Sequence, residues 1–223
     1  MLLSCSGPLG WRLYLVRRPN SAPIDNLDRF LVPVRQVSSA RGTSYQPANI
    51  CLSALGNVPA VHVRLAEPDE YELAGRIVVS AYESLPGNHM TGGYAEELAD
   101  VGRRAGEADV LVAVGPELLG CVTFVPDGSS PWAELLGPSE AGVRMLAVDP
   151  SAQGRGVGRA LLNACIERAR QLGRAGLVLH STPWMAAAHH LYESAGFVRA
   201  PERDWAPVPE VPLVAFRLAL ASD

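Results

Sequence analysis

Downstream of residue 60 apolar and polar positions fall into regular patterns; upstream they do not. Residues 60–66 alternate, the repeat of a strand. Pro68 opens a helix, since proline suits a first turn, and Asp69, Glu70 and Glu72 sit at its positive end. Tyr71, Ala74, Ile77, Val78 and Ala81 recur at helical spacing and predict one buried face. Leu85-Pro86-Gly87-Asn88 ends that helix, and residues 88–93 read as a loop. Residues 94–105 predict a second helix with Leu98, Val101 and Ala105 on one side. Residues 110–114 and 118–125 predict strands around the Gly115-Pro116 turn, a hairpin by its spacing. Residues 126–138 are mostly loop, 143–148 a strand that Asp149-Pro150 ends, and 158–172 a helix. Leu161, Leu162, Cys165, Ala169 and Leu172 give that helix its core face; Arg168 and Arg170 suit its negative end, and Gly173 stops it. Residues 177–180 predict a short buried strand. Trp184, Ala188, Leu191 and Ala195 mark one more helix closed by Gly196, and residues 197–199 and 211–220 form the last strands. The order is β-α-α-β-β-β-α-β-α-β-β, a mixed α/β sheet.

Length and composition fit this reading. The 223 residues are 48% hydrophobic and 19% charged, enough to bury a core, and exclude a disordered or collagen-like chain. No run approaches the ~18 apolar residues of a membrane span, so no membrane partner is expected. Cys5, Cys51, Cys121 and Cys165 lie far apart, which argues against a zinc ribbon or disulfide scaffold and fits a reducing cytoplasm. All 19 basic residues are arginine. Residues 1–57 hold six Arg against Asp25 and Asp28, a net +4, and residues 58–223 hold 13 Arg against 21 acids, a net −8. An acidic body disfavours nucleic acid and favours a cationic or amine-bearing partner.

The first 57 residues stand apart. They contain Pro8, Pro19, Pro23, Pro33 and Pro47, many Ser and Asn, and no sustained period. Leu2-Leu3-Ser4-Cys5 looks like a lipoprotein cleavage box, but it lacks the charged start and roughly 7–15-residue apolar stretch of a signal. The Arg-rich, acid-poor start also has the composition of an organelle transit peptide. The expectation is that residues 1–57 are a poorly ordered extension or precede a natural start near Val58 or Val61, and that 58–223 form the domain.

The chemistry lies where the strand ending at Val148 turns through Gln153-Gly154-Arg155-Gly156-Val157-Gly158-Arg159 into a helix. Glycines let the backbone approach a ligand, and the first N–H groups of a helix have no intrahelical partner. They converge where the helix dipole is positive, an anion site fit for a pyrophosphate. Arg155 and Arg159 can add charge-assisted contacts. A P-loop needs Gly-Lys-Ser/Thr, and this chain has no lysine. A dinucleotide fingerprint needs a third glycine where Arg159 stands, and an acid ~20 positions on that is missing.

The segment resembles the cofactor motif of the GNAT superfamily of N-acetyltransferases, Gln/Arg-x-x-Gly-x-Gly/Ala, which residues 153–158 fit. Residues 144–150 look like that family's fourth strand, and residues 188–197, from Ala188 through Tyr192 to Phe197, like its last helix and the start of the next strand. The resemblance covers about residues 60–223. It implies a mostly antiparallel mixed sheet flanked by helices, with fourth and fifth strands splayed apart, and acetyl-CoA as donor. It further implies that the pantetheine pairs with Leu146, Ala147 and Val148, and that the pyrophosphate rests on Gln153, Gly154, Arg155, Gly156, Val157, Gly158 and Arg159. A strand N–H near Leu146 would then stabilise the oxyanion, Tyr192 would protonate the leaving thiolate, and no metal would take part.

This chain departs from the family pattern in two places. Gly142 stands where many relatives place a glutamate base, leaving Glu140, expected to be a solvated loop carboxylate, His180 at the end of the fifth strand, or water. Met185 stands where the last helix usually opens with asparagine. His189 and His190 point to different helix faces and make a poor metal pair, and Cys121 and Cys165 sit at apolar positions. The expected function is acetyl transfer to a primary amine of a small molecule or peptide, the alternative a non-catalytic acyl-CoA-binding regulatory module. The acceptor groove is expected from the first two helices, residues 86–94, 126–138 and 201–212, with Glu83, Tyr94, Trp132 and Glu134 lining it. Homodimers are common in the family and are an option here by analogy alone.

Overall fold

The computed structural model describes residues 61–85 and 93–220. The predicted extension 1–57, the first residue of the first strand, and most of the 88–93 loop lie outside the described residues.

The predicted order holds, with one helix divided. Strand β1 (His62–Leu65) leads through a turn of 3-10 helix at Pro68–Glu70 into α1 (Tyr71–Glu83). The second predicted helix is two, α2 (Tyr94–Ala99) and α3 (Val101–Glu107). Asp100 breaks them: it leaves helical geometry, and its carboxylate accepts the Arg103 amide at 3.0 Å, the N-cap role that aspartate favours. There follow β2 (Asp109–Val114), β3 (Leu118–Val125), β4 (Glu140–Val148), α4 (Val157–Gln171), β5 (Gly176–Ser181), α5 (Ala186–Ser194), β6 (Val198–Arg199) and β7 (Val214–Ala219).

The seven strands form one sheet in the order β1-β2-β3-β4-β5-β7-β6, antiparallel except for the β4–β5 pair. Strand β4 starts three residues earlier than its apolar run predicts, because residues 140–142 pair with residues 176–178 of β5. Alternation along β2 sends Leu111 and Ala113 to one face and Val110 and Val112 to the other, so both faces are covered. Helices α4 and α5 bury Leu161, Leu162, Cys165 and Tyr192 on the first face. Helices α1 to α3 bury Ala74, Ile77, Val78, Leu98 and Val101 on the second. Each fully buried aliphatic side chain contributes about 1.5–3 kcal/mol by leaving water. Arg168 of α4 ties that helix to β2 through Asp109 at 3.0 Å.

Among the described residues, no helix is long and apolar enough to cross a membrane.

Candidate active site

The site begins with an interruption in β4. Thr123 of β3 faces Arg144 and Cys121 faces Ala147, so Met145 and Leu146 stand opposite the single residue Val122. This is a β-bulge, and Met145 takes a left-handed φ of 51° to make it. The extra residue reverses the parity of the strand. Ala141 and Val143 pack on the α4 side, whereas Met145 and Ala147 pack on the α1 side. Pairing of β4 with β5 runs from Glu140 opposite Gly176 to Val143 opposite Leu179 and stops there. Strand β5 continues along β7 to Ser181. The two central strands therefore part just past Val143, immediately before the bulge.

The amides of Leu146 and Val148 lie on the edge this frees. Asp149 donates its amide to the Leu119 carbonyl of β3 at 2.9 Å. Amide direction alternates along a strand, so Ala147 also points toward β3, and Leu146 and Val148 point to the parted side. Gly120 lets β3 come this close: a methyl group on it would lie 2.5 Å from the Ala147 carbonyl oxygen.

The glycine-rich turn follows. Gly154 and Gly156 have φ of 71° and 82°, a conformation costly for any residue with a Cβ, and no atom lies within 4 Å of where that Cβ would sit. Gln153 through Gly156 are exposed, Gly158 and Arg159 half-buried, and Val157 anchors the helix in the core. Gly156 is the N-cap of the 15-residue α4. The turn is thus an open cradle of backbone amides at a helix N-terminus, which fits a phosphate group. Its two arginines differ. Arg155 is exposed with no side-chain hydrogen bond among the described residues, whereas Arg159 donates to the Ser194 carbonyl at 3.0 Å and to the Ser194 hydroxyl, tying the turn to the end of α5.

A cavity of about 490 Å³ opens between the parted strands. Tyr192 lines it from α5, its ring packed 5.6 Å from that of Phe216. Burial pushes its phenol up to about 12. Met185 lines the cavity where the family's asparagine was expected, its sulfur 3.5 Å from the Ser181 hydroxyl. His180 lines it from the end of β5, with Nε2 3.2 Å from the Arg203 carbonyl and its ring edge-to-face with Trp205. Burial lowers its pKa below the ordinary imidazole value and Arg144 pushes the same way, against the hydrogen bond to Arg203. A carbonyl only accepts, so Nε2 carries the proton and Nδ1 the lone pair.

Glu140 is not the solvated loop carboxylate expected from sequence. It is the first residue of β4, 4% exposed, and accepts from Arg203 at 2.6 Å, Arg217 Nε at 2.7 Å and the Gly137 amide at 2.9 Å. Burial alone would raise its carboxyl; the hydrogen bonds from Arg203 and Arg217 outweigh it and hold the pKa at about 2. It does not line the cavity, and so weak a base is no proton acceptor.

Of the predicted groove residues, Tyr94, Trp132 and Glu134 line the cavity and Glu83 does not. Arg144 pairs with Glu134 at 2.5 Å, and burial raises the Glu134 carboxyl although Arg144 pulls it down. Trp132 is buried, donates Nε1 to Glu107 at 2.8 Å, and has the guanidiniums of Arg103 and Arg144 over its ring. Sequence reasoning missed Tyr82, Glu97 and Trp205 as wall residues. Only Trp205, an aromatic stranded in a Pro-rich tail, carried a local signal. Cys121 and Cys165 are buried free thiols whose pKa values burial raises.

Comparison with known proteins agrees with this geometry. The model of the acetyltransferase (GNAT) family matches residues 75–197. The structure of yncA from Salmonella typhimurium with its cofactor acetyl-CoA superposes with a TM-score of 0.54 at 23% identity, covering 73% of this chain and 98% of that one. A GNAT-family acetyltransferase from Staphylococcus aureus Mu50 superposes with a TM-score of 0.57 at 13% identity, covering 73% and 100%. In sequence, mycothiol acetyltransferases are similar over short segments. That of Geodermatophilus obscurus is 42% identical over 64 residues, 28% of this chain and 21% of that one. That of Beutenbergia cavernae is 36% identical over 85 residues, 37% and 29%. The chain thus spans less than a third of the length of these curated relatives.

Proposed function

The chain belongs to the acetyltransferase (GNAT) family, and on that premise we propose that it moves the acetyl group of acetyl-CoA to a primary amine of a small molecule or peptide by direct attack. The reading rests on one observation: β4 loses β5 just past Val143, freeing the Leu146 and Val148 amides beside a cavity that Tyr192 lines, upstream of the glycine cradle.

Acetyl-CoA supplies an acetyl thioester already activated for attack, and the family description and the acetyl-CoA held by yncA favour an acetyl donor. Leu146, Ala147 and Val148 hold the pantetheine arm as an added strand. Gln153, Gly154, Arg155, Gly156, Val157, Gly158 and Arg159 hold the pyrophosphate, with Arg155 as the free cation and Arg159 as a brace on the turn. The Leu146 amide donates to the oxygen on which negative charge develops.

The acceptor, an ammonium at neutral pH, first gives one proton to solvent, and the protons of the transfer itself are carried by two side chains. The freed nitrogen pair bonds to the acetyl carbon, the carbon–sulfur bond breaks, and its electron pair leaves on sulfur. Tyr192, pushed up to about 12 by burial, holds its proton at neutral pH and gives it to that sulfur. His180, its pKa lowered by burial and therefore neutral, takes the proton released by the amine on Nδ1. The short segments shared with mycothiol acetyltransferases do not carry those proteins' acceptor to this one.

The test is thiol release from acetyl-CoA by the purified full chain against pools of amines. Amine-dependent release supports the reading. If acetyl-CoA neither is consumed nor raises the melting temperature, the donor site is assigned wrongly.

A further inference from the structure

The cavity is walled by aromatic rings to a degree that transfer to an amine does not itself require. All three described tryptophans, Trp132, Trp184 and Trp205, line it. Tyr82 and Tyr94 face each other there edge-to-face, 6.3 Å apart at 67°. The apolar surface continues outward: Tyr94, Trp184 and Val208, at the cavity's edge, are 37%, 41% and 43% exposed. Large apolar side chains left uncovered around an opening mark a surface that an apolar ligand covers.

The charges inside are few and nearly cancel. Glu134 is neutralised by Arg144 at 2.5 Å. His180 is held neutral by burial. Glu97 remains, exposed, with no cation paired to its side chain among the described residues, and close enough to Glu134 to help raise its pKa. The buried guanidinium of Arg104 lies behind Glu97 and donates to its backbone carbonyl at 2.7 Å, so the cavity offers one exposed carboxylate at its aromatic mouth rather than a net negative field. That suits one ammonium group, which both a carboxylate and the face of an aromatic ring attract. A polyamine would need several spaced carboxylates free of cations, and Glu134 is already taken by Arg144.

We propose that the acceptor is a primary amine bearing a single positive charge on an aromatic, flat apolar body, an arylalkylamine, which binds in the cavity that Tyr94, Trp205 and Glu97 line. This rests on the acetyl-transfer reading and names its second substrate.

The experiment compares phenethylamine and tryptamine with butylamine, spermidine, glucosamine and a tetrapeptide beginning with glycine. It uses the full chain and reads thiol release from acetyl-CoA, with calorimetric binding of phenethylamine and butylamine in parallel. The aromatic amines should give kcat/KM about tenfold or more above the others, the size of one ring–cation and stacking contact. Tyr94→Ala should raise KM for phenethylamine about tenfold and leave KM for acetyl-CoA unchanged. Glu97→Gln should do the same. Preference for spermidine, glucosamine or the peptide would overturn the acceptor class and leave acetyl transfer standing. Saturable binding of phenethylamine but not butylamine, with no release from any amine, would support the class and overturn the transfer reading. Neither binding nor turnover of phenethylamine would overturn the proposal.

Discussion

The imidazole Nε2 of His180 lies 3.2 Å from the backbone carbonyl of Arg203, and the side chain of the same Arg203 donates to Glu140 at 2.6 Å. A buried carboxylate at the start of β4 thereby fixes the segment that sets the tautomer of the histidine at the end of β5. Glu140 thus positions the residue proposed above as the proton acceptor.

His180→Gln should lower kcat/KM about 100-fold and remove the acid limb of the pH profile. In the parent protein that limb should lie below the ordinary histidine value of 6.5, because burial depresses the pKa, and it should be separate from a second rise above neutrality as the acceptor ammonium loses its proton. The flanking charges that set the value are Arg144, Asp204 and Arg203. An unchanged acid limb in the variant would remove His180 from the reaction.

Tyr192→Phe keeps the ring that packs on Phe216 and deletes only the hydroxyl. Turnover should fall at least 100-fold, by the usual worth of a general acid, while calorimetry finds acetyl-CoA affinity and unfolding stability nearly intact. Unchanged turnover would refute the acid role.

Glu140→Gln should destabilise the fold by about 3 kcal/mol at neutral pH, because two arginines lose their buried partner. Hydrogen bonds hold the folded pKa at about 2, below the free value of 4.5, so the carboxylate's contribution is full above pH 4.5 and lost as pH falls toward 2. Urea unfolding across that window should show a steeper loss of stability in the parent than in the variant.

Gly120→Ala places a methyl group 2.5 Å from the Ala147 carbonyl oxygen. It should cost about 1–3 kcal/mol by overpacking and raise KM for acetyl-CoA, since the displaced strand is the one that would pair with pantetheine. Gly128→Ala, where nothing lies within 4 Å, is the control and should change neither.

The cradle and the helix behind it could be read from the sequence because their determinants are local. Gly154 and Gly156 supply left-handed backbone over three residues, and the apolar spacing from Val157 to Ala169 fixes the buried face of α4 without reference to any other segment. The same holds for Tyr192, placed by the spacing of its own short helix. The division of α2 from α3 escaped because the apolar spacing runs unbroken across Asp100, and only its dihedrals and cap show the break.

The tertiary structure decided what depends on residues far apart in the chain. Glu140 meets partners 63 and 77 residues away, and no window of sequence distinguishes a carboxylate so paired from a solvated one. The bulge at Met145 exists only in the register between β3 and β4, yet it turns Ala147 to one face and parts β4 from β5. The aromatic walls come together from α1, α2, the β3–β4 loop and the C-terminal tail. Backbone preference and periodicity act within a few residues and are written in the sequence; strand register and ion pairing across the sheet are settled only when distant segments meet.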